Sequence, residues 1–177
     1  MEQFKVIVSE HYELLFKFAM SLTRGESEAR ALTQETFYVW ATTDHSRRDI
    51  ANIKVWLFAT MRRRFSLRRN LSETAEAPED VAELPAFCPE VVKQLDWEQM
   101  LSALAEVDEQ DQPAVALFYF GDFSYRDIAL ILGAAEGAVK YHIARGLGQL
   151  REILSGRETY CEEWDLSSTL LMEQAGP

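Results

Sequence analysis

The stretch Phe123-Ser124-Tyr125-Arg126-Asp127-Ile128-Ala129-Leu130-Ile131-Leu132-Gly133-Ala134-Ala135-Glu136-Gly137-Ala138-Val139-Lys140 decides the fold. Ser124 followed three residues later by Asp127 is a capping arrangement, in which the hydroxyl accepts from an early helix amide and the acid is a shorter substitute for the usual Glu. Ile128, Ala129, Ile131 and Leu132 supply an apolar face, and small Ala129 permits close helix crossing. Gly133 then provides the left-handed backbone that lets the chain turn sharply. Beyond it, Val139, Ile143, Leu147, Leu150 and Leu154 recur at three- and four-residue steps along a helix predicted from Glu136 to Leu154. Its outer face shows Glu136, Gly137, Lys140, Tyr141 and Arg145, while Ala135 leaves its start without a side-chain cap. Two helices joined by a glycine turn, the second basic on its outside, read as a helix-turn-helix whose second helix enters a major groove. Lys140 and Arg145 are long enough for phosphates or guanine edges. Tyr141 suits a thymine methyl, and Glu136 a cytosine amine.

The overall charge opposes this reading, because DNA affinity comes largely from basic side chains on phosphates and the 177-residue chain carries a net charge of -11. Its distribution removes most of the objection. Residues 1–70 net +4, residues 71–112 net -11, residues 113–157 net +1 and residues 158–177 net -5. The two stretches with strong helical patterning are neutral to basic, so the acid belongs to a connector and a tail.

Upstream, Phe4, Ile7, His11, Leu14, Phe18 and Leu22 form one helical stripe that Gly25 ends. Ser27 is placed to cap a second helix, with Ala29, Leu32, Thr36 and Trp40 on one face, running to about Thr42. A polar loop follows. Asn52 is placed to cap a third helix, with Ile53, Trp56, Leu57, Thr60 and Met61 inward and Arg62, Arg63, Arg64, Arg68 and Arg69 crowding its far end. Residues 71–89 gather Ser, Thr, Ala and Glu with Pro78, Pro85 and Pro89, a solvated linker. Helical spacing resumes from Glu90 to about Val107, and Ala114 to Phe120 reads as a short buried helix. No strand-like alternation appears, so the fold class is all-α. Two small helical domains are expected, 1–70 and 90–157, joined by an acidic linker at 71–89 and followed by a tail at 158–177.

In these two places the sequence resembles the sigma-70 family, specifically the small extracytoplasmic-function (ECF) sigma factors of bacterial RNA polymerase. Phe123 to Ala129, Leu132-Gly133, Gly137 to Lys140 and Ala144-Arg145 are similar to the family's fourth region. Leu32-Thr33-Gln34-Glu35-Thr36-Phe37 with Trp56-Leu57 is similar to its second region. The resemblance implies a three-helix region 2-like bundle and a region 4-like helix-turn-helix that reads the minus-thirty-five element. It implies that Leu32, Gln34 and Glu35 serve binding to core RNA polymerase. It also implies that the loop Thr43 to Asn52, with Arg47, Arg48 and Asn52, captures a base of the displaced minus-ten strand, while Arg62, Arg63 and Arg64 meet promoter phosphates. An anti-sigma protein is a further implied partner.

The sequence departs from the family's pattern at Arg30 and Ala31, before the Gln34-Glu35 motif, and at Ala138, Tyr141 and His142 in the second helix of the turn, so a promoter preference unlike that of relatives is expected. The tail combines five acids with Tyr160, Trp164, Leu166, Leu170, Leu171 and Met172, apolar enough to pack on the chain itself or to shield a basic surface.

An enzyme is not expected. His11, His45 and His142 are scattered, Cys88 and Cys161 have no metal-ligand spacing, and no phosphate-cradling glycine loop or nucleophile-base pair is present, so neither metal nor cofactor is expected. With no apolar run of membrane-spanning length and no leader pattern, the expected location is cytoplasmic, without membrane insertion. Two other readings stand beside the sigma factor: a sigma-like decoy that binds an anti-sigma protein without directing transcription, and a free-standing helix-turn-helix regulator.

Overall fold

The computed structural model describes residues 2–43, 52–69, 96–121 and 123–156, and these form seven α-helices with no strand among them. They are α1 (Glu2–Thr23), α2 (Glu26–Thr42), α3 (Ile53–Arg69), α4 (Trp97–Leu104), α5 (Gln112–Phe120), α6 (Tyr125–Leu132) and α7 (Glu136–Ser155). The all-α expectation holds. The linker 71–89, the tail 158–177 and the pair Arg47 and Arg48 lie outside the described residues.

Local chemistry sets the helix ends. Ser124 and Asp127 cap α6 reciprocally: the Asp127 amide donates to the Ser124 hydroxyl at 3.1 Å, and the Ser124 amide donates to the Asp127 carboxylate at 3.3 Å. Gly133 closes the same helix at φ 66°, ψ 31°. Asn52 caps α3 by accepting from the Val55 amide at 3.1 Å. Asp96 and Gln99 make a second reciprocal box at the start of α4. Ala135 indeed gives α7 no side-chain cap.

The expected cap of α2 was misplaced. Its N-cap is Gly25, in extended backbone, so Ser27 is already inside the helix. The reversal between α1 and α2 is made by Arg24 at φ 58°, not by the glycine. A side chain in the left-handed region costs about 1 kcal/mol.

Packing of α1 also differs from the predicted stripe. Ile7, Phe18 and Leu22 are buried as expected, but Leu15 and Ala19 are fully buried beside them while His11, Leu14 and Phe4 sit at the margin. In α3 the buried residues are Leu57, Phe58, Met61, Phe65 and Ser66, with Trp56 only half-buried and set edge-on to Trp40 at 5.0 Å. In α7 the inner stripe of Val139, Ile143, Leu147, Leu150 and Leu154 is buried throughout.

Both helical modules share one hydrophobic core. α6 packs on α3 as well as on α7, and α5 packs on α1. Phe123 meets Phe58 edge-on at 5.0 Å, with the Lys54 ammonium 4.5 Å from the Phe123 ring centre. Elsewhere along the junction Arg69 pairs with Glu109 at 2.8 Å, and the Lys17 ammonium lies 5.8 Å from the Trp97 ring centre. α5 and α7 approach closely at Gly146, where a Cβ would fall 2.4 Å from Val115 Cγ2.

Two substitutions test this reading of the backbone by urea unfolding. Arg24→Gly should raise stability by about 1 kcal/mol by relieving the left-handed residue. Gly146→Ala should lower it by about 1–3 kcal/mol through overpacking against Val115 and Asp111.

Candidate nucleic-acid and polymerase interface

A buried carboxylate fastens the second helix of the helix-turn-helix. Asp111, at 0% exposure on the turn before α5, points both oxygens at α7. Oδ1 lies 2.7 Å from His142 Nδ1, and Oδ2 accepts from Arg145 Nε at 2.7 Å and Gln149 Nε2 at 3.2 Å. The acceptor-only carboxylate requires the His142 proton on Nδ1. Gln149 also accepts from the Asp108 amide at 2.8 Å and donates to the Asp108 carboxylate at 3.0 Å. Three side chains on successive turns of α7 are thereby fastened to one turn of chain.

Arg145 is therefore not the outward-reaching contact that its spacing predicted. The Asp111 hydrogen bond holds its guanidinium above its ordinary range, and the group stacks toward Tyr141 with 5.4 Å to the ring centre. His142, one of the departures from the family's pattern, is buried as the second half of the same clasp. Ala138 is buried too, so that departure from the family lies inside the fold.

The outer start of α7 is as expected. Glu136, Gly137 and Lys140 are exposed and Tyr141 is half-exposed. Lys140 pairs with Glu136 at 3.0 Å and lies 5.5 Å from the Tyr125 ring centre, which itself stacks on Phe118 at 6.3 Å. Arg126 was not foreseen. It is exposed in the first turn of α6 and makes no ion pair with any described residue.

The residues expected to meet polymerase separate into two kinds. Leu32 is at 0% exposure in the core, so its expected contact with polymerase is corrected: it holds α2 in place. Glu35 does not offer a free carboxylate either, because it pairs with Arg64 at 3.3 Å and with Arg68 from α3. Gln34 is exposed one turn before Tyr38, which at 69% exposure is the side chain on this face that the sequence reading missed.

At the basic end of α3 most guanidinium groups are engaged. Arg64 and Arg68 hold Glu35, Arg69 holds Glu109, and Arg62 donates to Ser66. Arg63 is exposed without an ion pair among the described residues and lines, with Ala59, Arg62 and Ser66, a groove closed on its other side by Leu130 to Gly133. The last carbonyls of a helix carry partial negative charge, so the end of α6 is an apt neighbour for these arginines. Asn52 is exposed, with its side-chain oxygen committed to the α3 cap.

Comparison with known proteins supplies the family. Residues 97–150 match the family described as Sigma-70, region 4. The chain is 29% identical over 139 residues to the ECF RNA polymerase sigma factor EcfG of Rhodopseudomonas palustris, covering 77% of each. It is 26% identical over 157 residues to the ECF RNA polymerase sigma factor SigL of Mycobacterium tuberculosis, covering 83% of this chain and 86% of that one. Among solved structures, the sigma factor RpoE in complex with the anti-sigma factor NepR from Bartonella quintana superposes with a TM-score of 0.65 at 30% identity, covering 88% of this chain and 98% of that one. The chain belongs to the sigma-70 family, among its ECF sigma factors. CnrH in complex with the cytosolic domain of CnrY shares the fold at a TM-score of 0.60 and 21% identity. The family is non-enzymatic, and an ECF sigma factor directs transcription initiation by bringing core RNA polymerase to promoter DNA.

Asp111→Ala should cost about 3 kcal/mol, since it strands Arg145 and His142 at a site built for a carboxylate. Glu35→Ala, which breaks a half-exposed pair, should cost under about 1 kcal/mol. Equal losses in urea titrations of the two variants would contradict the ranking.

Proposed function

We propose that the packed arrangement is the resting form of this ECF sigma factor, and that promoter engagement requires α6 and α3 to part. The contact of α6 with α3 carries the reading. By the resemblance to the family, α3 and the loop before it handle the opened minus-ten element, whereas α6 and α7 read duplex at the minus-thirty-five element. With the end of α6 seated over Arg62 and Arg63, the two DNA surfaces sit too close together to serve two separated promoter elements. The start of α7 stays outward, so the duplex reader is Lys140, Tyr141, Glu136 and Gly137 with Arg126 from the preceding helix. Arg145 supports these residues by fixing the helix, and the polymerase-facing surface is Gln34 with Tyr38. Asn52 and the segment with Arg47 and Arg48 remain assigned to the displaced strand, and Arg63 to phosphate. The site of action is the cytoplasm, where polymerase and promoter meet.

An anti-sigma protein is the natural stabiliser of such a packed form, and the Bartonella quintana neighbour was captured with one. A ligand that binds only the packed state shifts the population toward it without altering either DNA surface.

Run-off transcription with sigma-free core polymerase on a promoter library tests the function, with initiation expected; polymerase binding without initiation would make the chain a decoy. On duplex promoter DNA, Lys140→Ala and Arg126→Ala should each weaken binding and make its salt dependence shallower by about one counterion. Arg145→Ala should weaken binding with the salt slope unchanged. Phe123→Ala removes the Phe58 and Lys54 contacts and should raise affinity for core polymerase several-fold; an unchanged affinity would count against the resting-form reading.

A further inference from the structure

Leu130 on α6 is 62% exposed and Leu67 on α3 is 61% exposed. They flank one place. Leu130 lines the groove of about 190 Å³ between α3 and α6, and Leu67 follows Ser66 on the groove wall, one turn beyond Arg63 on the same side of α3. The groove thus offers Leu130 and Arg63, which makes no ion pair among the described residues, with Leu67 exposed on α3 beside Ser66 of its lining. An occupant complementary to it is apolar and acidic.

We propose that the occupant is the chain's own segment Leu166 to Met172, which straps the helix-turn-helix onto α3. Residues 158–177 hold five acids and no base, and within them Leu166, Leu170, Leu171 and Met172 are bracketed by Asp165 and Glu173. Reach permits these residues. α7 begins three residues after Gly133, at the edge of the groove, and its 20 residues carry the chain about 30 Å away at 1.5 Å each. An extended return at about 3.3 Å per residue takes about nine residues. Counted from Ser155, nine residues reach Trp164, so Leu166 and the Leu170-Leu171-Met172 cluster lie within reach of Leu130 and Leu67, and Asp165 and Glu173 are available to meet Arg63. The strap adds apolar burial and one charge pair to the α3–α6 contact, and it competes with any partner that would use the same groove.

The inference depends on the α3–α6 packing and not on which bases α7 reads. It is tested on the full chain alone, purified, with a photo-cross-linking amino acid in place of Leu130 and, separately, of Leu67. Both positions are exposed, so the fold tolerates the probe. The expected adduct joins each probe to a peptide containing residues 166–172 of the same molecule, and Leu170→Asp with Leu171→Asp abolishes it. Adducts to residues 70–95, adducts found only in a covalent dimer, or no adduct from either probe would overturn the proposal.

Discussion

An eight-residue helix has no stability of its own in water, so α6 exists because it is packed from two sides. Ile128 and Ile131 are buried, and the neighbours that bury them belong to α7 in its own module and to α3 in the other. Most of the molecule's organisation follows from that double demand. The turn at Gly133 must deliver α7 across one face of α6, while Phe123 is drawn against Phe58 on the opposite side. The helix that completes the DNA-reading motif is also the helix that joins the two modules.

Electrostatics work within this frame. A chain with a net charge of -11 has few cations to spare for DNA, and the structure spends several of them internally. Arg64 and Arg68 hold Glu35, Arg69 holds Glu109, and Arg145 holds Asp111. These pairs differ in weight. Asp111 is fully buried, so its pairing is a condition for burying it at all, whereas the Glu35 and Glu109 pairs are solvent-screened and set geometry more than stability. Among the described residues, the exposed cations on the helix-turn-helix and the facing side of α3 include Arg63, Arg126 and Lys140.

Much of the fold was legible because short-range chemistry dictates it. Ser124 with Asp127, Gly133, Asn52 and the five-residue inner stripe of α7 each act within one or two turns, and each does what the spacing predicts. The misreadings arise where long-range contact wins. Nothing local marks Asp111, 31 and 34 positions before His142 and Arg145, as the acid that turns Arg145 inward. Glu35 looked free because Arg64 and Arg68 lie on another helix. Leu32 sits inside a motif resembling the polymerase-binding region, but the motif's apolar position is there to be buried. At Arg24 the neighbouring glycine drew the turn to itself on propensity, although the backbone placed the strain one residue earlier.

The central claim is that the helix-turn-helix rests on α3 until polymerase binds. Spin labels at Glu10 on α1 and Arg151 on α7, with Cys88 and Cys161 replaced by serine, report the separation of the two modules directly. The account predicts a single narrow distance distribution for the free protein that shifts to a longer distance when core polymerase is added. A broad distribution in the free protein, or one unchanged by polymerase, would contradict it.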